Sequence, residues 1–250
     1  MQTVLLTALG VGGATLFGAL IGFVFKKISH KFTDVILAFA AGIMLSAAVL
    51  GLIVPSVEYG GKYGIIITVV GIFVGALFLN MIDKVVPHMH SLAGSPQSDE
   101  DKKTLNKVLL FVLAIAIHNL PEGIAAGVSF GSDNTDHALV IAGGIALQNI
   151  PEGMVIIGPM LATGISKRRT LLIAAATGVV EIIGTLIGYF AVSIANVLLP
   201  FALAFAGGTM LYVVSADMFL ETHAHGTHKG ATYALLAGFC LMLVSDHIFG

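Results

Sequence analysis

Two stretches of this sequence hold residues that can do chemistry. One reads His118-Asn119-Leu120-Pro121-Glu122-Gly123. The other, thirty positions on, reads Gln148-Asn149-Ile150-Pro151-Glu152-Gly153. Each is Asn-x-Pro-Glu-Gly behind a side chain that can bind metal. On a helix His118 and Glu122 share a face with Asn119 beside them, and Gln148, Glu152 and Asn149 repeat the arrangement. Pro121 and Pro151 lack an N–H, which frees the carbonyls of Ile117 and Leu147 as acceptors. Imidazole, carboxylate and amide oxygen form a borderline-to-hard donor set. It suits Zn²⁺, and also Fe²⁺, Mn²⁺, Co²⁺ or Cd²⁺, and disfavours a Cu(I) site that needs thiolate. Two other readings use the same residues: a polar network that pins helices together, and a proton relay. The relay needs the carboxylates and His118 but not the amides.

Both motifs lie inside apolar runs. The chain has 250 residues, 57% of them hydrophobic and 10% charged, with mean hydropathy +0.98. Soluble domains carry about 25% charged residues, so this composition is that of a polytopic membrane protein. Ionisable groups at membrane depth are costly and mark function. Cys240 is the single cysteine, which excludes an intramolecular disulfide and a thiolate cluster. Tryptophan is absent, leaving Tyr and Phe for any aromatic belt. The net charge of −2 comes with no basic patch of nucleic-acid type. No Gly-rich loop precedes a Lys-Ser/Thr pair, so nothing points to nucleotide binding.

A span needs about 20 apolar residues, and eight candidates occur: 4–25, 34–54 (closed by Pro55), 64–82, 108–130, 138–161, 170–194, 197–219 and 231–249. The first lacks a basic n-region and reads as an uncleaved helix rather than a signal peptide. The fold class is therefore all-α, one transmembrane domain over 1–250 with a His-bearing loop at about 83–107. Loops 1, 3, 5 and 7 hold 11 of the 12 basic residues, and the other side holds only Lys62. The positive-inside rule makes those loops cytoplasmic and both termini external. Short loops without a targeting segment favour a prokaryotic cytoplasmic membrane.

Helices four and five are antiparallel across a short loop, so at about 1.5 Å per residue the two motifs reach similar depth. Facing carboxylates repel in low dielectric, and a divalent cation between Glu122 and Glu152 removes the repulsion. Glu181, one turn from Thr177 in helix six, is a candidate third carboxylate. Asp217 and Glu221 share a face near the end of helix seven, followed by His223. With His88 and His90 of loop 3 they are candidate exit-side groups, or ordinary solvated side chains. Ser46 is expected to bond back to its own helix. An intramembrane metalloprotease needs two histidines at i, i+4. Only His118 lies deep beside the carboxylates, so no enzyme is expected.

On the paired motif, the eight spans, Glu181 and Asp217, the chain resembles the ZIP (Zrt-/Irt-like protein) family of divalent metal transporters. The resemblance covers essentially the whole chain. It implies two adjacent metal positions, one made by His118, Glu122, Gln148 and Glu152. The other is made by Asn119, Asn149 and Glu181, sharing Glu122 and Glu152. Some relatives carry aspartate where this chain has Asn149, so the second position is less negative here. It further implies an inner bundle of helices two, four, five and seven, an inverted repeat of helices 1–3 and 6–8 around helices 4–5, and a homodimer. The expected function is transport of divalent cations, zinc foremost, toward the cytoplasm, with metal as substrate and no catalytic cofactor. A proton-conducting or proton-coupled carrier using the same carboxylates is the alternative.

Overall fold

The computed structural model describes residues 1–25, 29–92, 100–132, 134–223 and 228–250. They form eight helical rods and, among the described residues, no strand. The first is α1 (Gln2–Val24). The second, α2, is helical over His30–Ser46, π-helical over Ala47–Ile53 and helical again over Val54–Tyr59. Then come α3 (Gly64–Leu92), α4 (Glu100–Ser129), α5 (Thr135–Ala162) and α6 (Lys167–Ile194). The seventh, α7, runs over Leu199–Val213, a π-helical turn Val214–Met218 and Phe219–His223, and α8 is His228–Phe249. Among the described residues, seven of the rods, α1–α3 and α5–α8, are long and apolar enough by length and composition alone to cross a bilayer. Ser29, Asn134 and Ser166 open α2, α5 and α6 by accepting a backbone N–H from Phe32, His137 and Arg169, as capping side chains do.

Three boundaries differ from the sequence reading. Pro55 does not close the second span. It follows the π-helical stretch, where the ladder shifts from i→i+5 back to i→i+4 and a missing N–H interrupts little. The polar stretch at 83–92 is not a loop but the end of α3, and α4 begins at Glu100. Hydropathy marks the edge of the bilayer, whereas a helix continues into water as long as its backbone bonds do. The segment 93–99 lies outside the described residues.

Without a hydrophobic drive between helices in lipid, small residues set how closely they pack. The close approaches obey a simple rule. Thr15 and Glu181, hydrogen-bonded side by side, are 166 positions apart, and the same offset relates Gly12 to Gly178, Gly18 to Gly184 and Gly22 to Gly188. Gly12 and Gly178 meet backbone to backbone where α1 crosses α6. Gly18 rests on the Ile150 carbonyl of α5, and Gly184 on the Leu120 carbonyl of α4. The offset continues between α2 and α7 and is three residues shorter between α3 and α8: Gly42 packs on the Leu235 carbonyl and Gly208 on that of Ile72, while Gly238 packs on Phe39 and Gly75 on Phe205. Helices α1–α3 thus repeat as α6–α8, with α4 and α5 exchanging places. An odd number of crossings separates the copies, so the repeat is inverted. The π-helical turns of α2 and α7 fall at matching positions.

Packing divides the rods in two. α1 runs against α5 and α6, and α4 against α6; α2 runs against α8, and α3 against α7. Ser56 of α2 bonds Thr68 of α3 and the Pro200 carbonyl of α7, both at 2.7 Å. Ile43, Met44, Ile141, Ile145 and Met210 fill the seam between the two groups.

A Cβ at Gly18 would stand 2.1 Å from the Ile150 carbonyl oxygen, and one at Gly184 2.6 Å from that of Leu120. Overpacking of this kind costs about 1–3 kcal/mol. Gly18→Ala and Gly184→Ala are expected to lower the unfolding temperature in detergent to similar extents. Gly143→Ala, with nothing within 4 Å of the new atom, is expected to leave it unchanged.

Candidate metal site

The turn after Ser129 and the Asn134 cap return the chain antiparallel, which brings the two motifs together. Asn119, Gln148, Asn149 and Glu181 are fully buried, and Glu122 and Glu152 nearly so. Gln148 Nε2 donates to Glu122 Oε1 at 2.9 Å, joining α4 to α5 at motif level. His118 Nε2 lies 3.2 Å from Asp217 Oδ2. Asp217 belongs to the π-helical turn of α7, and such turns are frequent at functional sites.

His118, Glu122, Glu152 and Asp217 border a cavity of about 360 Å³ whose apolar walls include Leu37, Ile115, Val155 and Val213. Helices α2, α4, α5 and α7 all contribute, which is the inner bundle the sequence reading names. Asp217 is 44% exposed and His118 13%, so the polar end of the cavity is open beside Leu220 of α7.

Behind Glu122 lies a second polar group. Glu181 Oε1 accepts from Thr15 Oγ1 at 2.6 Å and from Asn119 Nδ2. Its Oε2 accepts from Asn149 Nδ2 at 2.6 Å. The remaining N–H of each asparagine goes to a backbone carbonyl at 3.2 Å, Thr177 for Asn119 and Val11 for Asn149. Four buried oxygens of the two motifs have no hydrogen-bond partner: Asn119 Oδ1, Glu122 Oε2, Gln148 Oε1 and Asn149 Oδ1. Orphaned buried acceptors cost about 1–3 kcal/mol each. Unpartnered oxygens beside an imidazole and carboxylates fit a cation that prefers O and N donors. Among the described residues no three His, Cys, Asp or Glu side chains form a cage by themselves, so any site here leans on the amides as well.

Of the residues singled out in the sequence, Glu122 and Gln148 are in direct contact, and Asn119, Asn149 and Glu181 form one cluster. His118 and Glu152 border the cavity with Glu122. Asp217 is not merely part of an acidic helix end, because it faces His118. The side chains of Glu221, His223, His88 and His90 lie outside the described residues. Ser46 does not bond back to its helix: its buried hydroxyl has no partner, at the point where α2 passes into its π-helical stretch and the carbonyl register changes. Thr15 escaped the sequence reading. Its signal was the spacing of Gly12, Gly18 and Gly22 around it, which matches that of Gly178, Gly184 and Gly188 around Glu181.

Residues 93–246 match the family described as ZIP Zinc transporter. The chain is 38% identical over 252 residues to zinc transporter GufA of Myxococcus xanthus, covering 98% of each chain. The chain belongs to the ZIP family. Other ZIP relatives include zinc transporter ZIPB of Bordetella bronchiseptica, 35% identical over 95% of this chain and 78% of that one. Zinc transporter ZIP11 of Xenopus tropicalis is 30% identical over 97% and 96%. Like other ZIP proteins, this is an integral, multi-pass membrane protein and not an enzyme.

Outer-shell partners alone change metal affinity by roughly 10–100-fold. His118→Ala is therefore expected to weaken Co²⁺ binding by at least about 100-fold in competition titrations. Ser46→Ala removes an unpartnered hydroxyl and is expected to leave the affinity unchanged.

Proposed function

We propose that this chain carries divalent metal ions, zinc foremost, across the bilayer toward the cytoplasm, through a site between α4 and α5 near mid-membrane. The observation that carries this reading is that His118, Glu122 and Glu152 line one cavity, with Gln148 bonded to Glu122 and its own side-chain oxygen left without a partner. The relatives reported above are named zinc transporters. His118, Glu122, Gln148 and Glu152 are the primary ligands, with the Asn119 and Asn149 oxygens beside them. Fe²⁺, Mn²⁺, Co²⁺ and Cd²⁺ suit the same donors.

Orientation rests on the loop charges. With 11 of 12 basic residues on one side, the exposed end of the cavity faces the cytoplasm and both termini lie outside. A prokaryotic cytoplasmic membrane suits the short loops, and a homodimer rests on the family resemblance. The two helix groups provide the moving parts. Inverted-repeat transporters rock one bundle against another around a midplane site. Here α1, α4, α5 and α6 would move against α2, α3, α7 and α8. Two histidines span the seam: His118 reaches Asp217 at 3.2 Å, and His137 reaches Asp246 at 3.1 Å and the Gly51 carbonyl at 3.3 Å. Metal entering from outside would shed water stepwise onto the motif side chains and leave past Asp217.

The test is zinc uptake into liposomes that hold an internal zinc dye. The wild type is expected to fill them down a zinc gradient, and the Glu122→Ala/Glu152→Ala double variant to fall to the rate of empty liposomes. Wild-type uptake by the double variant sinks the site. Flux that follows pH and ignores added zinc favours a proton-coupled carrier of another solute.

A further inference from the structure

We propose that Glu181 is a positioning residue and not a metal ligand. With Thr15 it orients the two motif asparagines so that their side-chain oxygens face the cation, and the chain then holds one divalent ion. This rests on the site proposed above.

Each asparagine has two N–H donors, and both are spent. Asn119 gives one to the Thr177 carbonyl and one to Glu181 Oε1; Asn149 gives one to the Val11 carbonyl and one to Glu181 Oε2. These bonds fix which edge of each amide carries oxygen. The oxygens lie on the edges away from Glu181, buried and without partners. Glu181 has little left to offer a cation. A carboxylate has about four lone-pair sites, and three are taken, two on Oε1 and one on Oε2. An ion bound at Glu181 would meet amide N–H groups on either side, with their positive ends toward it. Turning those amides would leave their buried N–H groups without the acceptors they now have.

The repeat makes this arrangement symmetric in all but charge. Val11 and Thr177, whose carbonyls hold the two asparagines, are related by the same 166-residue offset as Thr15 and Glu181. Asn119 and Asn149 exchange under the same operation. The two asparagines therefore need one acceptor between them, and positions 15 and 181 are equivalent places from which to supply it.

The measurement is Co²⁺ binding to the purified full-length protein, read as stoichiometry, affinity and visible spectrum. The wild type is expected to bind one Co²⁺ per chain. Thr15→Val, which removes the hydroxyl that helps hold Glu181, is expected to weaken binding by about 10-fold, the lower end of what outer-shell partners contribute. If Glu181 were a ligand, losing a competing hydroxyl would leave affinity unchanged or raise it. Glu181→Thr is expected to weaken binding by roughly 10- to 100-fold. The exchange variant Thr15→Glu/Glu181→Thr is expected to recover most of that loss with the wild-type spectrum. Two ions per wild-type chain, or a Thr15→Val variant with unchanged or tighter binding, overturns the proposal while leaving the site in place. A wild type that binds no Co²⁺ sinks the site and this inference together.

Discussion

A bilayer supplies no water to a buried amide or carboxylate, so every such group must find its partner in protein or in an ion. Asn119, Glu122, Gln148, Asn149, Glu152 and Glu181 are all buried in this way, at the centre of three helices. Much of the structure follows from meeting that demand. Backbone carbonyls of α1 and α6 come close enough to accept from the two asparagines, and they come that close because Gly12, Gly18, Gly178 and Gly184 carry no side chain at the crossings. The glycine stripes and the polar centre are therefore one feature. The acceptors left over, on Glu122, Gln148 and the asparagines, are those a transported cation would use.

The inverted repeat gives two halves with the same backbone and different side chains. Position 118 is histidine and its counterpart 148 glutamine; position 181 is glutamate and its counterpart 15 threonine. The same offset relates Asp217 to Gly51. Asp217 stands at the exposed end of the cavity facing His118, whereas Gly51 is packed against Ile141 with no room for a Cβ. One end of the site is thus open and lined by a carboxylate, and the matching end is filled.

The sequence made the chemistry legible because intramembrane His, Glu and amides stand out against an apolar background, and because the spacing of His118 to Glu122 and of Gln148 to Glu152 is helical. The span count was legible for the same reason. Helix ends were less so: the polar residues of 83–92 continue α3 into the aqueous phase, and Pro55 sits where a π-helical stretch lets a proline through. The pairing of His118 with Asp217 joins residues far apart in sequence, and no periodicity encodes it. Thr15 is invisible one residue at a time. It emerges only when the glycines around it are laid over those around Glu181, a match that needs the whole repeat.

The proposed ligands of the cation are His118 and carboxylate and amide oxygens between α4 and α5. Zinc K-edge X-ray absorption on the zinc-loaded protein tests this set most directly. The expected spectrum has one imidazole, seen by its outer-shell scattering, and otherwise oxygen neighbours at about 2.0–2.2 Å. A sulfur neighbour at about 2.3 Å, or a shell without imidazole, would contradict it.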